Sequence, residues 1–312
     1  MIVSWLTGGL GNQMFQYAAG LALAERRRTI LKLDVSWYRE YPDYEAHNRY
    51  ALSCLNITEQ FATDEELDRL RGFQLTRTER WSLALARRLR LRIYEQLLAG
   101  GSRRSHQPPS FAFYPGFFDL PDNTHLGGMF QSEKFFAPVA NLLRLHFTFR
   151  YPPSPEVSAT IDRIRSGPSA ALHFRRGDYA RNPNFAQGIG IVGLDYYRAA
   201  LRLLRERSPD ATVYVFSDDI EAVAREFPID GPHEFVRCVQ PWHAHDKIRL
   251  MSLCEHIAIA NSTFSWWAAW LNPSPQKLVI APEPWFSGSD HDQRDIVPSA
   301  WTRLRRDGTP VS

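Results

Sequence analysis

The segment MIVSWLTGGLGNQMFQYAAG (residues 1–20) indicates the fold of this chain. A short apolar run leads into three closely spaced glycines, and an apolar stretch with helical spacing follows over 12–27. TILKLDVS (29–36) then favours a second strand. A strand, a tight turn, a helix and another strand form the repeating unit of a parallel sheet, so the pattern predicts an α/β protein.

The glycine-rich turn predicts an anion-binding site. Backbone N–H groups at the N-terminus of a helix attract negative charge. Gly9 and Gly11 shape the turn, and Asn12 and Gln13 add side-chain donors. The turn matches neither G-x-G-x-x-G, because Met14 takes the place of the last glycine, nor the P-loop. A plain tight turn between strand and helix is the alternative.

A second β/α pattern begins after the proline-rich stretch FRYPPSPEVS (149–158). Proline disfavours the interiors of helices and sheets, so we predict a boundary between an N-terminal domain (1–150) and a C-terminal domain (151–312). Strands followed by helices recur in the second half, as at SAALHFRRGDY (169–179). Two such halves predict two Rossmann-type domains with parallel sheets facing a cleft. Ligands of such sheets bind beyond the carboxyl ends of the strands.

Composition and length exclude several classes of protein. The chain has 312 residues, 44% of them hydrophobic, and a formal net charge of +3. Three cysteines without metal-ligand spacing or a pairing pattern indicate a reducing compartment. The sequence has no uninterrupted run of about 18 apolar residues, so it predicts no membrane-spanning helix. The N-terminus lacks the pattern of a signal peptide. We therefore expect a cytoplasmic protein.

An arginine-rich segment spans residues 69–104, where ten arginines accompany two acids. Apolar residues recur between the arginines at helical spacing, and 60–104 is predicted to be helical. A solvated basic helix face explains the pattern. The functional alternative is peripheral contact with an anionic membrane or an acidic partner. Because no nucleic-acid-binding motif accompanies the arginines, we expect no nucleic-acid partner.

HFRRGDY (173–179) carries the strongest chemical signal in the chain. The side chains of Arg175 and Arg176 should point to opposite faces, because successive residues of a strand alternate. One arginine is therefore expected to reach a ligand, while the other pairs with an acid such as Asp178. A guanidinium group offers a planar fork that matches phosphate. A purely structural Arg–Asp ion pair is the alternative.

Two further polar clusters follow predicted strands. ANSTFSWWAAW (260–270) places hydroxyls at a helix start, where they cap the helix or donate to a phosphate beside the helix dipole. Its tryptophans recur at helical spacing and are predicted to lie in the core. Asp218 and Asp219 end another strand and suit a nucleoside or a metal ion. Because the His and Asp clusters elsewhere lack ligand spacing, we expect no metal site. Together, the glycine-rich turn, the arginine pair, the hydroxyls and the acids predict that a nucleoside diphosphate binds in the cleft.

Several longer segments resemble the α-1,2-fucosyltransferases of glycosyltransferase family 11. They are GGLGNQMFQYAAGLALA (8–24), GGMFQSEKFF (127–136), HFRRGDY (173–179), VFSDD (215–219), LMSLCEHIAIANSTFSWWAAWLNP (250–273) and VIAPEPWF (279–286). The resemblance implies a GT-B-like α/β fold of two Rossmann-type domains. It also implies inverting transfer of L-fucose from GDP-β-L-fucose to the 2-hydroxyl of a terminal galactose, without a metal or other cofactor. The acceptor would be an oligosaccharide or a lipid-linked glycan such as an O-antigen unit, and the lack of an anchor resembles bacterial, cytoplasmic members.

The same resemblance implies roles in catalysis. By its place in the family's H-x-R-R motif, Arg175 would stabilise the negative charge that develops on the departing β-phosphate. Arg176 would hold the loop by pairing with Asp178. Asp178 is also the candidate general base, although a salt-bridged carboxylate is a poor base. Deprotonation assisted by phosphate or water is the alternative.

The predicted donor-binding residues form a larger set. They are Gly9, Gly11, Asn12, Gln13, His173, Arg175, Arg176, Asp218, Asp246, Asn261, Ser262, Thr263 and Ser265. Of these, His173 is expected to contact the base or shape the loop, and Asp218 to contact the guanosine. Asp246 belongs to the set because Lys247 stands where the family often has an acid for guanine recognition.

Two alternatives from other classes remain open at this point. One is a metal-dependent GT-A glycosyltransferase with Asp218 and Asp219 as its metal ligands, although a D-x-D spacing is absent. The other is a non-catalytic protein that binds sugar nucleotides or glycans through its tryptophans. The helical spacing of Trp266, Trp267 and Trp270 argues against that reading, because it predicts burial.

Overall fold

A computed structural model describes residues 1–41, 49–71, 105–108, 110–176, 190–239, 243–288 and 292–311. The part of the predicted helical segment 60–104 that covers residues 72–104, and the candidate base Asp178, lie outside the described residues. The predicted division of the chain into domains at residue 150 stays a prediction.

The described strands are β1 (Ile2–Trp5), β2 (Leu31–Asp34), β3 (Ser105–His106), β4 (Thr124–Leu126), β5 (Ser169–Phe174), β6 (Thr212–Ser217), β7 (His233–Phe235), β8 (His256–Ala258), β9 (Val279–Glu283) and β10 (Thr302–Arg305). The described α-helices are α1 (Leu10–Arg27), α2 (Ser36–Glu40), α3 (Asp64–Arg71), α4 (Ala140–His146), α5 (Pro155–Arg165), α6 (Leu194–Arg207), α7 (Ile220–Glu226), α8 (Ala244–Leu253) and α9 (Thr263–Leu271).

The described strands form two parallel sheets. One has the order β2-β1-β4-β3 and the other has the order β10-β9-β8-β5-β6-β7. Every residue of β5 is buried, as expected for a central parallel strand with helices on both faces. The predicted α/β class and the GT-B-like pair of parallel sheets are confirmed.

In each sheet, the strand that comes first in the chain lies inside the sheet, and later strands are added on both sides of it. In the N-terminal sheet, β1 lies between β2 and β4, and in the C-terminal sheet, β5 lies between β6 and β8. The crevices at the carboxyl ends of β1/β4 and β5/β8 are therefore topological switch points, where ligands of parallel sheets bind.

The two sheets share one hydrophobic core, which α1 and α9 join. The ring of Phe15 on α1 lies 4.5 Å from the ring of Trp266 and 4.8 Å from that of Trp267, both on α9. Phe136 stacks on Trp267 at 5.2 Å. Trp266, Trp267 and Trp270 are buried, so the prediction that they belong to the core is confirmed.

The C-terminus of α9 is stabilised by two cations. Lys277 Nζ donates to the carbonyls of Ala269 and Asn272, at 2.9 and 2.7 Å. The guanidinium of Arg144 lies 4.2 Å from the centre of the Trp270 ring. Positive charge at a helix C-terminus compensates the helix dipole.

A buried ionic cluster fixes the end of α3 to the N-terminal sheet. The carboxylate of Asp34 accepts hydrogen bonds from Arg71, from His125 Nε2 at 2.9 Å and from the Ser36 N–H at 2.9 Å. Burial raises the pKa of Asp34, but the hydrogen bond with His125 and the charges of Arg71 and His125 outweigh burial and lower it to about 2.

This lowered pKa predicts acid-sensitive stability. A carboxyl whose pKa is lower in the folded state stabilises the fold above its ordinary pKa, and that contribution is lost as the pH falls towards 2. We expect Asp34 to contribute about 2 kcal/mol at pH 7. Asp34→Asn should therefore lower the free energy of unfolding at pH 7 and make it less dependent on pH between 5 and 2, as denaturant titrations can measure. Asp64→Asn, which removes an exposed carboxylate, is the control, and an unchanged pH dependence in Asp34→Asn would contradict the assignment.

Among the described residues, the helices lack the combination of length and hydrophobicity that crossing a membrane requires.

Candidate active site

The two switch points meet at a single polar junction. Asn12, in the first turn of α1, accepts hydrogen bonds on Oδ1 from Gln131 Nε2 (3.2 Å) and from the Thr263 hydroxyl (3.0 Å). Gln131 follows β4, and Thr263 follows β8 and begins α9. The side chain of Asn12 therefore joins the strand ends of both sheets.

Gly11 brings the backbones of the two halves into contact. A Cβ atom on Gly11 would lie 2.6 Å from the carbonyl carbon of Thr263 and 2.7 Å from the backbone nitrogen of Phe264. The indole N–H of Trp267 donates to the Gly11 carbonyl at 3.0 Å. Part of the turn that the sequence assigned to an anion thus packs against α9. Gly9 precedes α1, and a Cβ there would meet open space.

Gln13 and Asn261, two predicted donor-binding residues, hold backbone segments in place. The Gln13 amide donates to the carbonyls of Gly8 and Arg49 and accepts from the Ala51 N–H, all at 2.8 Å. The Asn261 amide donates to two carbonyls, one of them that of Trp285 at 3.1 Å. These observations point to structural roles for both amides.

The N-terminus of α9 keeps donors available. Ser262 is the N-cap residue, yet its side chain makes no capping hydrogen bond. Its carbonyl accepts from the Trp266 N–H at 3.0 Å and from the Ser265 hydroxyl at 3.3 Å. Within the described part of the chain, the N–H groups of 263–265 have no acceptor. The first turn of a helix leaves such groups for an anion.

Arg175 and Arg176 diverge after β5, as the alternation of strand side chains predicts. Arg175 lies 3.3 Å from Asp218 Oδ2, at the end of β6. Asp218 Oδ1 also accepts the backbone N–H of Arg176 at 2.9 Å. The guanidinium of Arg176 forms its ion pair with Glu226, whereas the sequence predicted a pair with Asp178. Arg175 is thus the arginine held at the strand ends.

Asp219 has a different role from Asp218. Its carboxylate caps α7 by accepting the Ala222 N–H at 3.1 Å. The two neighbouring acids therefore act separately, and this arrangement does not favour the GT-A alternative. Within the described ranges, no group of three His, Cys, Asp or Glu residues is placed to hold a metal ion.

His173 forms the floor of the site. Its side chain is buried, and its ring lies 6.2 Å from the ring of Phe264 in the first turn of α9. Burial, together with the neighbouring charges of Arg175 and Lys247, lowers the pKa of His173 to about 3 against the opposing effect of Asp218. The imidazole is therefore neutral near pH 7 and shapes the site without adding charge.

Lys247 is a member of this site that the sequence did not identify as a binding residue. Its ammonium donates to the Ser217 carbonyl, at the end of β6, at 2.7 Å. Burial lowers the pKa of Lys247, and Asp218 and Arg175 are close enough to affect it as well. Lys247 lies on α8, and periodicity alone does not show that this face meets the end of β6.

Asp246 turns away from this cluster. Its carboxylate lies 2.9 Å from the guanidinium of Arg249, which donates to the Tyr151 carbonyl and lies 4.7 Å from the centre of the Phe149 ring. This ion pair anchors the segment between the two sheets, and the contact of Asp246 with the nucleotide stays a prediction.

These features define a class of protein. Two parallel α/β sheets meet at their switch points, where a helix N-terminus lies beside a cationic cluster, as suits a glycosyltransferase with a nucleotide-activated donor. The chain belongs to glycosyl transferase family 11, whose family profile matches residues 116–305.

Two relatives of this chain are named for colitose transfer and for O-antigen biosynthesis. The alpha-1,2-colitosyltransferase of Escherichia coli is 31% identical over 98% of this chain and 99% of that protein. The O-antigen biosynthesis glycosyltransferase WbnK of E. coli is 28% identical over 96% of this chain and 99% of that protein. Among solved structures, the α-1,6-fucosyltransferase NodZ soaked with GDP-fucose is similar with a TM-score of 0.44 and 16% identity, over 93% of this chain and 96% of that one.

Proposed function

We propose that the protein transfers L-fucose from GDP-β-L-fucose to the 2-hydroxyl of a terminal galactose, with inversion at the anomeric carbon. Family membership supports sugar transfer, the E. coli colitosyltransferase supports a deoxy sugar, and the E. coli O-antigen glycosyltransferase supports a glycan acceptor. The observation that carries the proposal is that Arg175 and the open N-terminus of α9 follow the neighbouring strands β5 and β8 at a switch point.

The proposed reaction breaks the bond between the fucose anomeric carbon and the β-phosphate oxygen. Negative charge grows on the β-phosphate as the bond breaks, and fixed donors stabilise that charge. Arg175 supplies a positive planar fork, and the first turn of α9 supplies N–H groups aimed beyond the strand ends. With these donors in place, we propose that transfer needs no divalent metal.

The proton of the acceptor hydroxyl must leave as the new bond forms. Asp178 stays our candidate for the base, with deprotonation by phosphate or water as the alternative. Near-normal turnover in Asp178→Asn would remove Asp178 from that role.

The 31% identity to a colitosyltransferase makes GDP-colitose a second candidate donor. Colitose is L-fucose without its 3-hydroxyl, so the two donors differ by one hydrogen-bonding group. A site built to bond that hydroxyl rejects the deoxy sugar by about 10⁴-fold, whereas a site that leaves it unbonded discriminates weakly.

The donor is identified by comparing kcat/KM for the two GDP-sugars with one β-galactoside acceptor, and the linkage by NMR of the product. We expect GDP-fucose to be preferred and the product to be α-1,2-linked. Preference for GDP-colitose would assign the second donor, and a product linked elsewhere would contradict the proposal.

We also propose that the acceptor is a lipid-linked O-antigen unit, on the cytoplasmic side of the membrane. The naming of one relative for O-antigen biosynthesis supports this acceptor, and the ten arginines of 69–104 suit an anionic lipid surface. Sedimentation with vesicles of rising anionic lipid content tests this contact, and binding independent of that content would contradict it.

A further inference from the structure

The carboxyl end of β6 gathers several charged side chains among the described residues. Arg175 pairs with Asp218 at 3.3 Å, and Lys247 donates to the carbonyl of Ser217, the residue before Asp218. Two cations thus lie near the carboxylate of Asp218, while the neighbouring Asp219 caps α7. The guanidinium of Arg176 is directed to Glu226.

The position of Lys247 requires an explanation. Placing an ammonium group in a partly buried site is unfavourable unless a partner compensates the lost hydration. The Ser217 carbonyl accepts one of the three N–H groups of Lys247. A carbonyl carries no full charge, so a hydrogen bond to it does not neutralise the ammonium. The nearby carboxylate of Asp218 is shared with Arg175. A ligand with negative charge would complete the compensation.

We propose that Lys247 is a second diphosphate-binding cation, which shares the charge of the GDP leaving group with Arg175. The inference rests on the proposed function, since that function supplies the nucleoside diphosphate. It adds a residue that lies on α8, away from the arginine motif and the α9 turn.

Phosphate is the ligand of the ammonium in this proposal. Lysine has only donors, so Lys247 cannot bind the N1 and N2 donors of guanine, although it can donate to guanine O6 and N7. Phosphate oxygens carry the negative charge that the carbonyl partner lacks, and guanosine, which has the base without phosphate, separates the two ligands in the test. Lys247 contacts the end of β6, and Arg175 follows β5, the neighbouring strand.

The test measures displacement of a fluorescent GDP derivative by GDP and by guanosine, in the wild-type protein and in Lys247→Met. Because a hydrogen bond to a charged group is among the stronger ones, we expect GDP to bind about 10- to 100-fold more weakly to the variant. Guanosine, which has no phosphate, should bind both proteins equally. Lys247→Arg should recover part of the loss.

Lys277→Met is the matched control, because Lys277 is also partly buried and its ammonium also donates to carbonyls. It should leave GDP binding unchanged. Unchanged GDP binding in Lys247→Met, or equal losses for GDP and guanosine, would overturn the inference. Failure of the wild-type protein to bind GDP would instead overturn the proposed function, and this inference with it.

Discussion

Arg175→Ala is expected to lower kcat/KM by about 10³-fold, because removing a cation that stabilises phosphate charge in the transition state has effects of this order. Asp218 holds the guanidinium at the strand ends at 3.3 Å, so the group is positioned before the donor binds. Arg175→Lys should recover only a small part of the activity, since lysine keeps the charge but loses the planar fork. Steady-state kinetics with GDP-fucose and a β-galactoside measure both variants.

Two comparisons make this result specific. Arg163→Ala removes an arginine of the same half whose guanidinium is bound to Glu234 at 2.8 Å, and it should retain activity. Arg176→Ala should lose far less activity than Arg175→Ala, because its guanidinium is directed to Glu226. Equal losses in the Arg175 and Arg176 variants would contradict the assignment of Arg175 as the phosphate-binding arginine.

Gly11→Ala is expected to destabilise the fold by about 3 kcal/mol and to remove most activity, because overpacking of a tight contact has effects of this size. The new Cβ would lie 2.6 Å from the Thr263 carbonyl carbon, so α1 and the N-terminus of α9 would have to separate. The separation would also break the hydrogen bond between Asn12 and Thr263. Denaturant unfolding and kinetic assays measure the two effects.

The neighbouring glycine supplies the control. Gly9 has an ordinary φ of −78°, a Cβ added to it would meet open space, and an alanine would keep its backbone N–H. Gly9→Ala should therefore change stability and activity little. If Gly9→Ala and Gly11→Ala behave alike, the close contact between Gly11 and α9 is not what holds the two helices in place.

The buried strands and amphipathic helices are the part of the fold that the sequence predicts. Largely apolar runs such as Ser169–Phe174 and the helical spacing of Leu194–Arg207 are typical of buried strands and amphipathic helices. The strands β3, β7 and β10 were not predicted. They are short, lie at sheet edges, and in β10 carry the charged pattern TRLR, so neither apolar alternation nor length distinguishes them from loops.

The candidate site could be predicted only in part, because sequence shows which residues follow a strand but not which partner each finds. Arg175 and the hydroxyls of the α9 turn lie beyond the carboxyl ends of strands, as the sequence predicts. Gln13 bonds backbone groups near residues 49–51, and Asp219 caps a helix. Lys247 reaches the site from a helix face whose orientation depends on packing between α8 and the sheet. Such contacts depend on tertiary structure.

The turn at Gly8–Gln13 shows how a correct local prediction can miss its context. A glycine-rich turn before a helix does follow β1, as predicted. Its glycine at position 11, however, is needed for the approach of α9, which belongs to the other half of the chain. The turn packs against the start of α9, which is the proposed anion-binding site beside the other sheet.

The most direct test of metal-independent fucosyl transfer is release of GDP from GDP-fucose, measured with and without a β-galactoside and with and without EDTA. We predict that the galactoside stimulates release and that EDTA leaves the stimulated rate unchanged. No stimulated release from GDP-fucose or GDP-colitose across several galactosides, or release that disappears in EDTA, would contradict a metal-independent transfer built on Arg175 and the N-terminus of α9.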